Sequence, residues 1–260
     1  MKTVILCGGF GTRIRDVADD IPKPMIPIGG LPILWHIMKY YASFNHKDFV
    51  LCLGYKGHSI KNFFLNYESS TRDFTIQLGN QNIDFHNTSE ESDWSVTLAN
   101  TGLNTMTGGR VRNIKKYIGD DDMFMLTYGD GVSDINIDEL VKFHKSHGKT
   151  VTISGVRPPG RFGELEKTDE GLIKGFNEKP QASGGLINGG FFVCNKNVFD
   201  FLDGDDSLVF EQEPMRRLVE SSEMMVYEHQ GFWQPMDTYR EYSLLNKLYD
   251  QGNAPWVSWK

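Results

Sequence analysis

A run of glycines directly after an apolar segment is the feature that most constrains this chain. The segment Thr3–Cys7 has the composition of a buried strand. The following Gly8-Gly9-Phe10-Gly11 places three glycines in four positions, so consecutive backbone N–H groups can approach a phosphate without obstruction by side chains. Arg13 adds a forked cation and Lys23 a point charge. The pattern predicts a strand that opens into a polyphosphate-binding loop.

Two commoner glycine motifs do not match this loop. The dinucleotide fingerprint needs a third glycine, but Gly9-Phe10-Gly11 is followed by Thr12-Arg13-Ile14. The kinase-type P-loop, G-x-x-x-x-G-K-[ST], occurs nowhere in the chain. A glycine turn without a ligand is the remaining alternative, and the nearby Thr12, Arg13 and Lys23 disfavour it.

Strand-like and helix-like segments alternate through the first 156 residues, which is typical of a parallel sheet flanked by helices. We therefore predict an α/β fold in a single domain, residues 1–260. It has a Rossmann-like, mostly parallel sheet, an added β-hairpin region at 164–176 and a C-terminal helix. The predicted strands are Thr3–Cys7, Asp48–Leu53, Met123–Tyr128, Val151–Val156 and 224–228, and the predicted helices are 31–41, 59–67, 111–118, Ile137–His147, 211–221 and Tyr239–Asp250.

Composition narrows the function classes. The chain has 260 residues, 39% of them hydrophobic, and a net charge of −7, which argues against nucleic acid as a partner because backbone neutralisation needs clustered cations. No apolar stretch approaches the roughly 20 residues that span a bilayer, so we expect no membrane partner. Cys7, Cys52 and Cys194 lie in apolar runs without metal-ligand spacing. Buried thiols in a reducing compartment follow, and the expected location is the cytoplasm.

Two aspartates are candidate metal ligands. Asp130 follows a predicted strand between two glycines, and Mg²⁺ favours one or two carboxylates together with substrate phosphate oxygens; an ordinary Asp-Gly turn is the alternative. Asp237 is the candidate second carboxylate, with a helix N-cap before Thr238 as its alternative. The D-x-D pattern at residues 120–122 precedes a strand rather than ending one, so we interpret it as a solvated turn.

The glycine loop, together with Pro22-Lys23-Pro24-Met25, resembles the signature of the sugar-1-phosphate nucleotidyltransferases. The resemblance extends nearly from end to end. Later segments are similar to the cytidylyltransferase branch of that family: residues 106–110, 128–131, 157–163, 188–193 and 232–238.

This resemblance implies a transferase that converts CTP and α-D-glucose 1-phosphate into CDP-glucose and pyrophosphate. The implied cofactor is Mg²⁺, held by Asp130 and Asp237. It also implies a preference for CTP over other nucleotides, a homo-oligomer, and a role in nucleotide-sugar supply for surface polysaccharide (O-antigen dideoxyhexose) synthesis. A contact through Trp256 and Trp259 is compatible with an oligomer, and equally with a C-terminus that folds back onto the core.

The resemblance also assigns site residues, in three groups. The catalytic group stabilises charge, the second surrounds the nucleotide, and the third holds the sugar phosphate. They are, in turn, Arg13, Lys23, Asp130 and Asp237; Leu6, Cys7, Gly8, Gly9, Gly11, Thr12, Arg13, Lys23, Thr105, Arg110 and Gly129; and Glu178, Lys179, Asn188 and Gly190.

Three other functions stay open. One is a hexose-1-phosphate nucleotidyltransferase that uses another base or sugar. A metal-dependent glycosyltransferase would use the D-x-D pattern but leave Arg13 and Lys23 without a role. A regulatory relative that only binds a nucleotide sugar would be expected to lack at least one of Arg13, Lys23, Asp130 and Asp237, and all four are present.

Overall fold

The computed structural model describes residues 1–10, 21–158, 164–168, 172–177 and 185–259. Within these ranges, seven strands form one central sheet and the others form four two-stranded ladders. The strands are β1 (Thr3–Cys7), β2 (Pro27–Ile28), β3 (Leu31–Pro32), β4 (Asp48–Leu53), β5 (Phe74–Gln77), β6 (Asn82–Phe85), β7 (Ser95–Asn100), β8 (Met123–Tyr128), β9 (Gly131–Ser133), β10 (Val151–Val156), β11 (Glu164–Lys167), β12 (Ile173–Asn177), β13 (Ile187–Asn195), β14 (Met224–His229) and β15 (Trp233–Pro235).

The central sheet has the order β14-β10-β13-β8-β1-β4-β7. Its pairings are parallel except for those of β13, which runs antiparallel to both β10 and β8. The predicted mostly parallel sheet is therefore confirmed. Because β1 lies in the interior of the sheet with β8 and β4 on its two sides, the carboxyl ends of three parallel strands meet around the glycine loop.

Helices cover both faces of this sheet and bury its strands. Alternate residues of β1 divide between two hydrophobic cores: Ile5 faces the core built with the helix 33–43, and Val4 faces the core built with residues 111–118. This double burial explains why the strand is continuously apolar rather than alternating. The helices are α1 (Ile33–Ser43), α2 (Gly57–Leu65), α3 (Tyr67–Thr71), α4 (Thr107–Asn113), α5 (Lys115–Ile118), α6 (Ile137–His147), α7 (Glu213–Glu220) and α8 (Tyr239–Asp250), with 3₁₀ turns at Lys23–Met25 and Lys196–Phe201.

One predicted boundary is wrong in a way that matters for the site. The sequence pattern predicts a helix that begins at Val111, after the glycine pair, whereas α4 begins at Thr107 and includes Gly108, Gly109 and Arg110. Glycine is needed at both positions because a Cβ at Gly108 would collide with Leu208, and one at Gly109 with Thr105. Close packing against the 205–210 segment thus outweighs the low helix propensity of glycine.

The C-terminal segment folds back onto the core. Trp256 is completely buried, and its indole N–H donates to Nδ1 of His36 at 3.4 Å. The other ring nitrogen of His36 donates to the carbonyl of Ile28 at 2.8 Å. Burial lowers the pKa of His36 to about 4. Of the two sequence-based interpretations of this segment, the structure supports packing onto the chain itself.

No helix in the described part of the chain is both long and apolar enough to cross a bilayer.

Candidate active site

The glycine loop and the Gly129-Asp130 turn lie side by side, as the strand predictions require. β1 and β8 are parallel neighbours in which Leu6 pairs with Tyr128, and the amide of Gly129 donates to the carbonyl of Leu6 at 3.0 Å. Both turns therefore leave the sheet at the same edge. In open parallel sheets this edge is where ligands bind.

A short ladder brings Asp237 to the same place. β9 directly follows the Asp130 turn and pairs with β15, so that Gly131 lies opposite Pro235. The amide of Met236 then donates to the carbonyl of Asp130 at 2.8 Å. Asp237 is not the helix cap: Thr238 caps α8 in a capping box with Glu241. The helix-capping alternative for Asp237 is thereby excluded.

Lys23 joins the two aspartates. Its Nζ lies 2.5 Å from Oδ2 of Asp130 and 2.6 Å from Oδ1 of Asp237. Burial alone lowers the pKa of Lys23, but the carboxylates of Asp130 and Asp237 outweigh that effect and raise the pKa overall. The ammonium is therefore charged at neutral pH, and a point of high cation affinity lies between the two carboxylates.

Arg110 lies beneath the glycine loop and is 5% exposed. Its guanidinium donates to the carbonyls of Gly8 (3.0 Å), Leu53 (3.0 Å) and Gly102 (2.8 Å). A side chain at Gly8 would place Cβ 2.2 Å from the guanidinium carbon, which explains the glycine there. Burial lowers the pKa of Arg110, yet arginine keeps its charge in proteins. Arg110 thus fastens the ends of β1, β4 and β7 while placing positive charge under the loop.

A cavity of about 400 Å³ opens above this loop. All eight of the predicted nucleotide-site residues with described positions line it, together with the two aspartates. The lining also includes Phe10, Pro24, Asn104, Met106 and Thr107, which the sequence analysis did not assign; Phe10 is 52% exposed. Its predicted lining residues are Leu6, Cys7, Gly8, Gly9, Lys23, Thr105, Arg110, Gly129, Asp130 and Asp237.

A second cavity, of about 300 Å³, lies beside the first. It contains the predicted sugar residues Asn188 and Gly190, with Trp233 among the walls that the sequence analysis missed. Tyr128, Asp130 and Asp237 line both cavities. The two carboxylates therefore stand at the junction, where a ligand group in one cavity can meet a ligand group in the other.

The other predicted site residues lie outside the described residues. These are Gly11, Thr12, Arg13, Glu178 and Lys179, and their assignments stay predictions from the resemblance.

The donor set at the junction fits a small hard cation. Asp130 and Asp237 each direct one carboxylate oxygen at a single ammonium, so the same two oxygens can approach a single metal ion. Among the described residues, no cluster of three or more His, Cys, Asp or Glu side chains with metal-binding geometry occurs. Mg²⁺ does not need one, because it commonly takes one or two carboxylates plus substrate phosphates and water. The run at residues 120–122 precedes β8, at the opposite end of the strand from Asp130, and Asp121 there pairs with Lys2.

Comparison with known proteins agrees with this geometry. The sequence model of the Nucleotidyl transferase family matches residues 2–251. A glucose-1-phosphate cytidylyltransferase of Salmonella typhi is 47% identical over 260 residues, covering 100% of both chains. A probable glucose-1-phosphate cytidylyltransferase of Bacillus subtilis is 44% identical over 259 residues, again covering 100% of both. The crystal structure of HddC from Yersinia pseudotuberculosis complexed with GMP-PN has the same fold, with a TM-score of 0.68 at 23% identity over 95% of this chain and 99% of that one.

Proposed function

Because the chain belongs to the nucleotidyl transferase family, we propose that it transfers the cytidylyl group of CTP to α-D-glucose 1-phosphate, giving CDP-glucose and pyrophosphate. One observation carries the reaction class: two cavities meet at a pair of aspartates and a lysine. The choice of cytidine and glucose is supported by two relatives that carry this activity in their names and match the chain over its full length.

The chemistry requires positioning and charge neutralisation rather than a general base. An oxygen of the sugar phosphate attacks the α-phosphorus of CTP in line, the bond to the pyrophosphate oxygen breaks, and pyrophosphate leaves. The attacking phosphate is already anionic, so no proton has to be removed. Catalysis of this kind depends on alignment and on cations placed where charge develops.

In this proposal the glycine loop holds the triphosphate in the first cavity. The Gly8 and Gly9 amides face the phosphates with Arg13, and Lys23 neutralises charge at the α-phosphate. Lys23 is suited to this role because its ammonium lies at the junction of the cavities. Glu178, Lys179, Asn188 and Gly190 hold the sugar phosphate, as the resemblance implies.

We propose Mg²⁺ as the cofactor, with Asp130 and Asp237 as its protein ligands. When bound, the ion would draw charge from the α-phosphate oxygens and favour attack there. Lys23 now bridges the same two carboxylates, so binding of the ion requires the ammonium to move aside. That movement would release Lys23 towards the phosphate.

We also propose that the protein forms a homo-oligomer and works in the cytoplasm. The β5–β6 hairpin exposes apolar side chains, including Leu78 at 84% and Ile83 at 49%. A two-stranded hairpin alone is marginally stable in water, which favours a homo-oligomer that covers it. All three cysteines are free and buried, as is usual for proteins of a reducing compartment, and we propose the cytoplasm. We also propose, as the resemblance implies, a role in nucleotide-sugar supply for surface-polysaccharide synthesis.

A pyrophosphate-release assay across nucleotides and hexose 1-phosphates tests the function. We expect CTP with glucose 1-phosphate to give the highest kcat/KM, with pyrophosphate and CDP-glucose formed in equal amounts. Equal use of UTP or dTTP would reduce the proposal to a hexose-1-phosphate nucleotidyltransferase with another or a broader base preference. Transfer of glucose from CDP-glucose to an acceptor, with CDP as the leaving group and no pyrophosphate formed, would support the glycosyltransferase instead.

A further inference from the structure

A line of hydrogen bonds that the proposed reaction does not use connects the two cavities through Glu211. This carboxylate lies just before α7 and lines neither cavity. It accepts a hydrogen bond from Oγ1 of Thr107 at 2.5 Å and another from the hydroxyl of Tyr128. Thr107 is at the first cavity and Tyr128 lines both. Glu211 therefore contacts lining residues of both cavities without lining either cavity itself.

The donors and acceptors along this line allow only one arrangement. An ionised carboxylate can only accept, so the hydroxyl proton of Tyr128 points to Glu211. The phenol oxygen then accepts from Nδ2 of Asn188 at 3.1 Å. At its other end, Asn188 accepts from the amide of Gly190 at 2.7 Å. The side-chain amide of Asn188 is thus held from both ends.

The ring of Tyr128 is fixed as well. Gly190 has a φ of +80°, and a Cβ there would lie 2.6 Å from the ring, so glycine permits both the left-handed backbone and the close approach. On another side the ring packs edge-on against Phe192. Burial first, and then the nearby Glu211, raise the pKa of Tyr128, which keeps the phenol protonated at physiological pH.

We propose that Glu211 is a positioning residue for the sugar phosphate: it fixes the hydroxyl of Tyr128, and that hydroxyl orients Asn188 in the second cavity. The inference rests on the proposed function for its substrate names. It extends that function by assigning the orientation of the sugar site to a residue outside it, Glu211.

Steady-state kinetics with each substrate varied separately tests the proposal. Tyr128→Phe removes the hydroxyl that contacts both Glu211 and Asn188. Glu211→Gln leaves one acceptor oxygen for the two hydroxyls, those of Thr107 and Tyr128, that donate to Glu211. Loss of one such hydrogen bond should raise the KM for glucose 1-phosphate about three- to tenfold, with the KM for CTP changed by less than about twofold. Glu213→Gln, an exposed carboxylate two residues away, is the matched control and should change neither constant.

The double variant gives the sharper result. If Glu211 acts through Tyr128, Tyr128→Phe/Glu211→Gln should raise the KM for glucose 1-phosphate no more than Tyr128→Phe alone. The proposal would be overturned if the KM increases of the two single variants multiplied in the double variant. An unchanged KM for glucose 1-phosphate in Glu211→Gln, or equal increases in the KM values for CTP and glucose 1-phosphate, would also overturn it. Thermal melts of all variants separate loss of folding from loss of orientation, and the near-isosteric Glu211→Gln keeps the test valid if Tyr128→Phe folds poorly.

The positioning role of Glu211 can be tested even if the wild-type protein does not have the proposed activity. If the wild-type protein prefers another sugar phosphate, the same cycle is measured with that compound. If it turns over none, calorimetric titration of glucose 1-phosphate into the wild-type protein and the variants provides the comparison. Weaker binding by both single variants, without further weakening in the double variant, supports the inference; unchanged binding overturns it.

Discussion

At the scale of single residues, the two aspartates have the clearest roles. Both Asp130 and Asp237 contact Lys23 and line both cavities. The sequence could place Asp130 because it follows a strand, whereas Asp237 needed the resemblance. The β9–β15 ladder that joins them consists of two three-residue strands, too short to leave a periodic pattern.

Replacing either aspartate with Asn should nearly abolish turnover. Loss of one important electrostatic contact typically lowers kcat about 100-fold to 1,000-fold, and we expect that loss in the pyrophosphate assay for Asp130→Asn and for Asp237→Asn. The paired control is Asp120→Asn with Asp122→Asn. If the control pair lost activity while the two single variants kept it, the metal site would lie at the D-x-D run instead.

Removing the bridging ammonium should strengthen metal binding. In Lys23→Met the two carboxylates lose the ammonium that bridges them, so the nucleotide-free protein should bind Mn²⁺ about tenfold more tightly, equivalent to ~1.4 kcal/mol. Calorimetry or the electron paramagnetic resonance signal of free Mn²⁺ measures this directly. The same variant should lose turnover. Weaker Mn²⁺ binding than in the wild-type protein would show that Lys23 does not compete for these carboxylates.

At the scale of elements, the sequence located the long, regular segments well. β1, β4, β8, β10, α6 and α8 have the predicted bounds, because buried parallel strands are continuously apolar and α8 carries a capping signal. The prediction missed β7 and the β5–β6 hairpin, where polar side chains interrupt the pattern. It also could not find Glu211, whose partners lie 83 and 104 positions away.

Arg110 ties three of these strands together, and its replacement should be costly. Lysine cannot supply the planar fork that reaches the carbonyls of Gly8, Leu53 and Gly102. Loss of several hydrogen bonds from a buried guanidinium should lower the free energy of unfolding by about 2–4 kcal/mol. Urea denaturation of Arg110→Lys measures this. Arg112→Lys, two residues along the same helix and more exposed, should change stability by less than about 1 kcal/mol.

The contact between α1 and the C-terminal segment should make stability depend on pH. His36 is neutral when folded because its pKa is lowered to about 4, whereas the unfolded chain takes up a proton there below about pH 6.5. The contribution of neutral His36 to the free energy of unfolding is therefore present at pH 7 and is lost as the pH falls from about 6.5 towards 4. We expect His36→Gln to remove about 2 kcal/mol of the difference between pH 7 and pH 5 in urea unfolding. An unchanged pH dependence would contradict the assignment.

At the scale of the whole molecule, exposed apolar side chains are unevenly distributed over the surface of the described residues. The β5–β6 hairpin exposes Phe74, Ile76 and Ile83 on one of its faces, with Leu78 exposed at its turn. Trp256, near the C-terminus, is instead buried against the core. Apolar side chains grouped in this way commonly mark contacts with another chain.

Charging the hairpin should therefore dissociate the proposed homo-oligomer. Ile76→Lys combined with Leu78→Lys should lower the mass measured by light scattering after gel filtration, towards the 29.6 kDa of one chain. Leu172→Lys, which alters an exposed leucine beside a different hairpin, should leave the mass unchanged. A wild-type protein that already has the mass of one chain would contradict the homo-oligomer.

The distance along the chain between the glycine loop and Asp237 has a consequence for biosynthesis. Strands β1, β4, β7 and β8 are complete by residue 128, so a nascent chain can begin to form the floor of the first cavity early. The second carboxylate leaves the ribosome more than 100 residues later, followed by the capping box that orders α8. Under the proposed function, a partly synthesised chain therefore has a site for the triphosphate before it has both carboxylates needed to cleave it, and translation itself delays the first turnover.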